Sequence, residues 1–102
     1  MSYCPGWRDY NTDLLVRGIL NLKNEDDVYR FLDDLCSTAE IKAIAQRFEV
    51  ARLLSAQTTY SSINRQTGAS SATISRVKRC LENGAQGYKK VLNNLYKETG
   101  DE

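Results

Sequence analysis

The chain of 102 residues contains no histidine, a single proline and only three cysteines. Without imidazole, Ser-His-Asp and Cys-His catalysis and histidine metal sites are excluded. Cys4, Cys36 and Cys80 are odd in number, widely spaced and form no C-x-x-C pair. That argues against a disulfide framework and a zinc site and for a reducing cytosol, so no metal or other cofactor is expected. No apolar run approaches the roughly 20 residues of a membrane span. The first 13 residues lack the cationic start and apolar stretch of a signal peptide. The expectation is a soluble cytoplasmic protein with no membrane partner. Alternating strand patterns are nearly absent as well, and the length fits one small domain with no deep two-domain cleft. The hydrophobic fraction of 41% is slightly low for a self-sufficient monomer and leaves room for a core completed by a partner chain.

A dominant charge is also missing from the total: 14 Lys plus Arg stand against 13 Asp plus Glu, a net of +1. Divided along the chain, that balance is a cancellation. Residues 1–50 carry six cations against nine anions, a net of −3. Residues 51–97 carry eight cations (Arg52, Arg65, Arg76, Lys78, Arg79, Lys89, Lys90 and Lys97) against Glu82 alone, a net of +7. Such an asymmetry suits a nucleic-acid-binding half joined to a solvating or dimerising half, although a pair of solvated helix faces would also produce it.

What is abundant is helix punctuation. Asn11 and Thr12 are candidate caps for a helix with Leu14, Leu15, Ile19, Leu20 and Leu22 on one side. Asn24 followed by Glu25, Asp26 and Asp27 starts a second, with Val28, Phe31, Leu32 and Leu35 at helical spacing. Ser37-Thr38-Ala39-Glu40 reads as a capping box opening a long amphipathic helix through Ile41, Ile44, Ala45, Phe48, Val50, Ala51, Leu53 and Leu54. Thr59 caps a short segment to Thr67, Gly68 closes it, and Ser70 or Ser71 caps the next, with Ile74, Val77 and Leu81 inward. Asn83-Gly84 ends that helix. A last helix, Tyr88 to Lys97, turns Val91, Leu92 and Leu95 inward, and Thr99 to Glu102 fray. The class is all-α, six helices in one domain spanning 1–102.

The informative stretch runs from Thr59 to Cys80: short helix, glycine turn, helix, which is the helix-turn-helix plan. Ile63, Ile74 and Val77 are spaced to meet at the crossing. The second helix opens on Ser70, Ser71, Ala72, Thr73 and Ser75, small side chains that fit a major groove about 12 Å wide and carry hydroxyls for base edges and phosphates. Arg76, Lys78 and Arg79 follow, suited to phosphates. An ordinary helical hairpin has the same outline. Many helix-turn-helix units have a small residue four before the turn glycine, where this chain has Asn64.

The order Phe31-Leu-Asp-Asp-Leu-Cys36, Glu40-Ile, Ala45-Gln-Arg-Phe-Glu-Val-Ala51, Thr59-Tyr and Thr67-Gly-Ala-Ser-Ser-Ala-Thr-Ile-Ser-Arg76 resembles the Trp-repressor superfamily, in its YerC/YecD branch. The resemblance spans roughly residues 12–97. It implies an intertwined homodimer with exchanged first helices, and a bacterial transcription regulator of the repressor type, whose partner is double-stranded DNA. It divides the chain into an N-terminal arm (1–10), dimerisation helices (11–57), the helix-turn-helix (58–83) and a closing helix (86–97). It implies DNA contacts at Tyr60, Ser61 and Asn64, at Ser71, Ala72, Thr73 and Ser75, and with Arg76 beside the backbone. Arg65, Ser70, Lys78 and Arg79 complete the candidate set. The positions of the family's co-repressor pocket hold Gln46, with Arg47 one step out of phase, then Arg76, Val77 and Cys80. Val77 stands where the family has glycine, Gln46 where it has arginine and Cys80 where it has serine, so tryptophan is not expected to bind.

Other features have plain readings. Cys36 reads as a small buried hydrophobe. Cys80, near Arg76 and Arg79, is a candidate redox thiol. Asp33 and Asp34 diverge around a helix and form no acid pair. Tyr3, Trp7 and Tyr10 either pack on a partner subunit or stay loosely ordered. The competing function is a helical protein–protein adaptor that keeps the fold without specific DNA binding. An enzyme has no acid pair, histidine or phosphate loop to work with.

Overall fold

The computed structural model describes residues 3–99 and is helical throughout, with no strand among the described residues. The helices are α1 (Tyr10–Leu20), α2 (Glu25–Leu35), α3 (Thr38–Ser55), α4 (Tyr60–Thr67), α5 (Ser71–Asn83) and α6 (Gly87–Thr99). Thr99 ends α6, and the rest of the segment expected to fray, residues 100–102, lies outside the described residues. The chain forms two compact units, one ending at Thr38 and the other beginning at Ala39.

In the first unit the Arg8 N–H donates to the Pro5 carbonyl at 3.2 Å, closing a turn ahead of α1. The cap of α1 is Asp9, two residues earlier than the expected Asn11. Its carboxylate accepts from the Thr12 N–H at 2.9 Å while its own N–H donates to the Thr12 hydroxyl at 2.8 Å. This reciprocal pair satisfies two free amides, and a carboxylate is favoured over a neutral amide at the positive end of the helix dipole. The Thr12 N–H and hydroxyl hold the Asp9 carboxyl below its usual range. Asn24 caps α2 as expected, accepting from the Asp27 N–H at 2.9 Å. Neither α1 nor α2 contains a buried residue. Leu14, Leu15, Val16, Ile19 and Leu20 of α1 and Val28 and Leu35 of α2 are exposed, Leu20 by 77%. Phe31, Leu32 and Cys36 are only half-buried.

The second unit holds the core. Val50, Ala51 and Leu53 of α3, Ile63 of α4, Ala69 of the turn, Ile74, Val77 and Leu81 of α5 and Leu92 of α6 form one buried cluster. The burial of α3 is confined to its C-terminal end, and Ile44 and Ala45 are exposed. On α6 only one of the three expected inward positions is buried: Leu92 is 4% exposed, while Val91 and Leu95 are 48% and 37% exposed. The inward stripe is instead Tyr88, Leu92 and Tyr96, spaced four apart, with both rings packed on the cluster. A tyrosine ring covers apolar surface while its hydroxyl stays available to a polar partner, a role that an aliphatic count overlooks. Beside it, Arg52 grips Glu49 with two hydrogen bonds of 2.8 and 2.6 Å and holds that carboxyl below its usual range.

Candidate nucleic-acid interface

The link between α4 and α5 is built from side chains that each satisfy a backbone group. Thr59 caps α4, its hydroxyl accepting from the Ser62 N–H at 3.2 Å. At the other end Gly68 takes a left-handed φ of 75°, the conformation glycine adopts without a Cβ penalty, and its N–H donates to the Asn64 carbonyl at 2.8 Å. The Thr67 hydroxyl donates to the Ile63 carbonyl at 2.7 Å and accepts from the Ala69 N–H at 3.1 Å. Asn64 Nδ2 donates to the Ala69 carbonyl at 2.8 Å. The unusual residue four before the glycine therefore spans the turn, a job that a small side chain cannot do. Gln46 Nε2, from α3, donates to the Thr67 carbonyl at 3.1 Å and ties the turn to the longest helix.

Ile63, Ile74 and Val77 are buried together at the crossing, as their spacing predicts. With the turn satisfied and the crossing filled, the angle between α4 and α5 is fixed by packing, and the exposed side of α5 is presented rigidly. At 100° per residue, Ala72, Arg76 and Arg79 make a stripe opposite Ile74, Val77 and Leu81, and Ser71, Ser75, Lys78 and Glu82 make one that flanks it. The leading end carries the small residues and the trailing end the cations.

The individual candidates are placed unevenly. Tyr60, Ser61, Arg65, Ser71, Ala72, Arg76, Lys78 and Arg79 are exposed, and Thr73 and Ser75 are half-buried. Ser70 is the cap of α5, accepting from the Thr73 N–H at 3.2 Å and donating to the Thr73 hydroxyl at 3.2 Å. Ser70, Thr73 and Asn64 thus hold the motif together as well as standing on its surface. Lys78 Nζ lies 5.8 Å from the centre of the Tyr60 ring, joining the start of α4 to the middle of α5 by a cation–π contact. Sequence reasoning missed Thr67 and the tie from Gln46. A threonine in the last helical turn can bond its i−4 carbonyl, so Thr67 was within reach of the sequence. The tie from Gln46 crosses 21 residues and leaves no local signal.

The five co-repressor positions do not converge on one free pocket. Gln46 is engaged with Thr67, Val77 is 1% exposed within the core, and Arg47 and Arg76 are exposed. Cys80 faces an open apolar cavity of about 560 Å³ with Phe48, Tyr88 and Val91. A Cβ at Gly84 would run into the Cys80 carbonyl, so the end of α5 requires glycine for close approach, its φ being an ordinary −91°. All three cysteines are free thiols, and the described residues hold no cluster of His, Cys, Asp and Glu fit for a metal. None of the described helices is long and apolar enough to cross a membrane.

Residues 10–96 match the sequence model of the Trp repressor protein family. The uncharacterised YerC protein of Bacillus subtilis (strain 168) is 50% identical over 95 residues, covering 93% of this chain and 90% of that protein. A solved Trp-repressor candidate from Staphylococcus aureus superposes with a TM-score of 0.82 at 42% identity, covering 86% of this chain and 88% of its own. A solved TrpR-like protein from Eubacterium eligens ATCC 27750 superposes with a TM-score of 0.80 at 46% identity, covering 83% and 88%. The family match runs through both compact units, and with half of its residues shared with YerC the chain belongs to the Trp repressor protein family, in its YerC-like branch.

Proposed function

We propose that this chain is a sequence-specific, DNA-binding transcriptional regulator of the repressor type, acting in the cytoplasm as a homodimer through the helix-turn-helix of α4 and α5. The observation that carries the reading is the exposed side of α5. Ser71 and Ala72 lead it, with half-buried Ser75 at its edge, and Arg76, Lys78 and Arg79 follow, on a helix held by a satisfied turn and a filled crossing. Small hydroxyl side chains at the head meet base edges, and the cations behind them meet phosphates. Tyr60, Ser61, Asn64 and Arg65 flank this face from α4, and Ser70 and Thr73 set its leading turn.

The homodimer is supported by the first unit, in which 11-residue α1 and 11-residue α2 have no fully buried residue although their apolar residues fall on helical stripes. Intertwining with a second copy gives those stripes a core, and the two units then make one domain per half of the dimer. Two helix-turn-helix units so joined address successive major grooves about 34–36 Å apart. The engaged Gln46 and the buried Val77 support a regulator that does not take tryptophan.

Gel-shift titration over a set of duplexes and salt concentrations tests the reading. Arg76→Ala weakens binding similarly for every sequence and lowers the salt slope by about 1. Thr73→Ala or Ser75→Ala instead changes which duplex is preferred, by about 1–3 kcal/mol per lost base contact. Absence of binding to any duplex at low salt would end this reading in favour of a protein–protein adaptor, which leaves the +7 stretch of residues 51–97 without a use.

A further inference from the structure

The structure assigns a second charged site beside the α5 face: a cleft in which Lys78 of α5 and Lys89 of α6 together take one phosphodiester of the DNA backbone. The inference rests on the DNA-binding reading and adds to it a residue outside the helix-turn-helix. The cleft measures about 490 Å³, and its lining includes Ser55, Thr58, Tyr60, Lys78, Glu82 and Lys89. Two lysines and one carboxylate leave it with one net positive charge, and among the described residues none of these three groups is in an ion pair. Glu82 offsets one of the two ammonium charges, and a phosphate oxygen offers the lysines a charged hydrogen-bond acceptor. The hydroxyls of Ser55 and Thr58 offer further donors to its oxygens.

Position selects DNA as the source of the phosphate. Lys78 and Glu82 continue the stripe that begins with Ser71 and Ser75. At 1.5 Å per residue, Lys78 stands about 10 Å along the axis from Ser71. A major groove is about 8.5 Å deep, so with Ser71 at the bases Lys78 comes level with the strand that bounds the groove. Lys89 enters the same cleft from α6 and meets that strand from the other side. Tyr60 acts as a positioning residue, because its ring lies under Lys78 Nζ and narrows the range of a flexible four-carbon stem.

Fluorescence-anisotropy titrations of the full chain with one labelled duplex, repeated over a salt series, test the cleft. Lys89→Ala is expected to weaken binding about tenfold for all sequences and to lower the salt slope by about 1. Lys90→Ala, its neighbour outside the cleft, leaves the slope unchanged. Tyr60→Leu loses affinity to the level of Lys78→Ala, whereas Tyr60→Phe, which keeps the ring, retains it; equal losses in both Tyr60 variants would overturn the positioning role. Circular dichroism melts show whether each variant is folded. An unchanged slope for Lys89→Ala beside a lowered slope for Arg76→Ala overturns the cleft and leaves the DNA reading standing. Failure of the unsubstituted chain to bind any duplex overturns both. In a separate arm, saturable NMR shifts at Lys78 and Lys89 on adding inorganic phosphate, with no change of slope in Lys89→Ala, would reassign the cleft to a soluble anion.

Discussion

The two units of this chain solve the burial problem in opposite ways. Up to Thr38 there are four cations against seven anions and no buried residue among the described ones; from Ala39 on there are ten cations against six anions and the whole buried cluster. The second unit closes its own core from four helices and a turn. The first displays leucines, valines and Ile19 at helical spacing, and none of its described residues is buried. A helix with an apolar stripe gains stability only against another apolar surface. The contrast therefore separates a part that closes its own core from a part whose apolar stripes stay exposed, which is where the proposed homodimer would bury them.

The strongest way to break this contrast is to charge the first unit's stripe. Leu15→Asp combined with Ile19→Asp is expected to halve the molar mass measured by light scattering and to abolish DNA binding; an unchanged mass would remove the homodimer. Within the second unit the test is a cavity. Ile74→Ala empties a fully buried position and is expected to cost about 2–5 kcal/mol in urea unfolding, while Leu20→Ala, on a residue 77% exposed, should cost far less unless a partner covers it. Comparing Leu20→Ala across protein concentrations sharpens the point, since a loss that depends on concentration belongs to the dimer. Gly68→Ala forces a Cβ into a φ of 75° and is expected to lower stability by about 1–2 kcal/mol, with a parallel loss of DNA affinity because the turn sets the angle of α5. A neutral Gly68→Ala would mean that the turn is looser than its hydrogen bonds imply.

The smallest effect is a pH dependence. Arg52 holds the Glu49 carboxyl below its ordinary value of 4.5, so this pair contributes stability above that value and loses it as pH falls through the lowered one. Both side chains are more than 40% exposed, which limits the contribution to about 0.5 kcal/mol. Glu49→Gln should therefore melt slightly below the unsubstituted chain near neutrality and coincide with it in strong acid. Equal melting temperatures at both pH values would show that the pair contributes nothing.

Legibility in the sequence followed the range of the interaction. Asn24, Thr59, Ser70 and Gly68 were readable because a cap or a left-handed turn engages residues within about one turn of itself. Ile63, Ile74, Val77 and Leu81 were readable because a helix repeats its buried face. Asp9 was missed in favour of Asn11 because several adjacent residues can cap, and the reciprocal bond with Thr12 chooses among them. Tyr88 and Tyr96 were missed because only the packed core shows that their rings outcompete Val91 and Leu95 for the inner face of α6.

By itself the sequence determined six helices, the place of the glycine turn, the split of charge beneath a near-neutral total and the exclusion of histidine chemistry, since each depends on composition or on neighbours a few residues apart. Tertiary structure decided the rest: that Asn64 spans the turn, that Gln46 is tied to Thr67, that Val77 is sealed in the core and that Lys78 and Lys89 share a cleft. Each of those depends on where side chains meet in space, and spacing along the chain does not encode which surfaces of two helices will face one another.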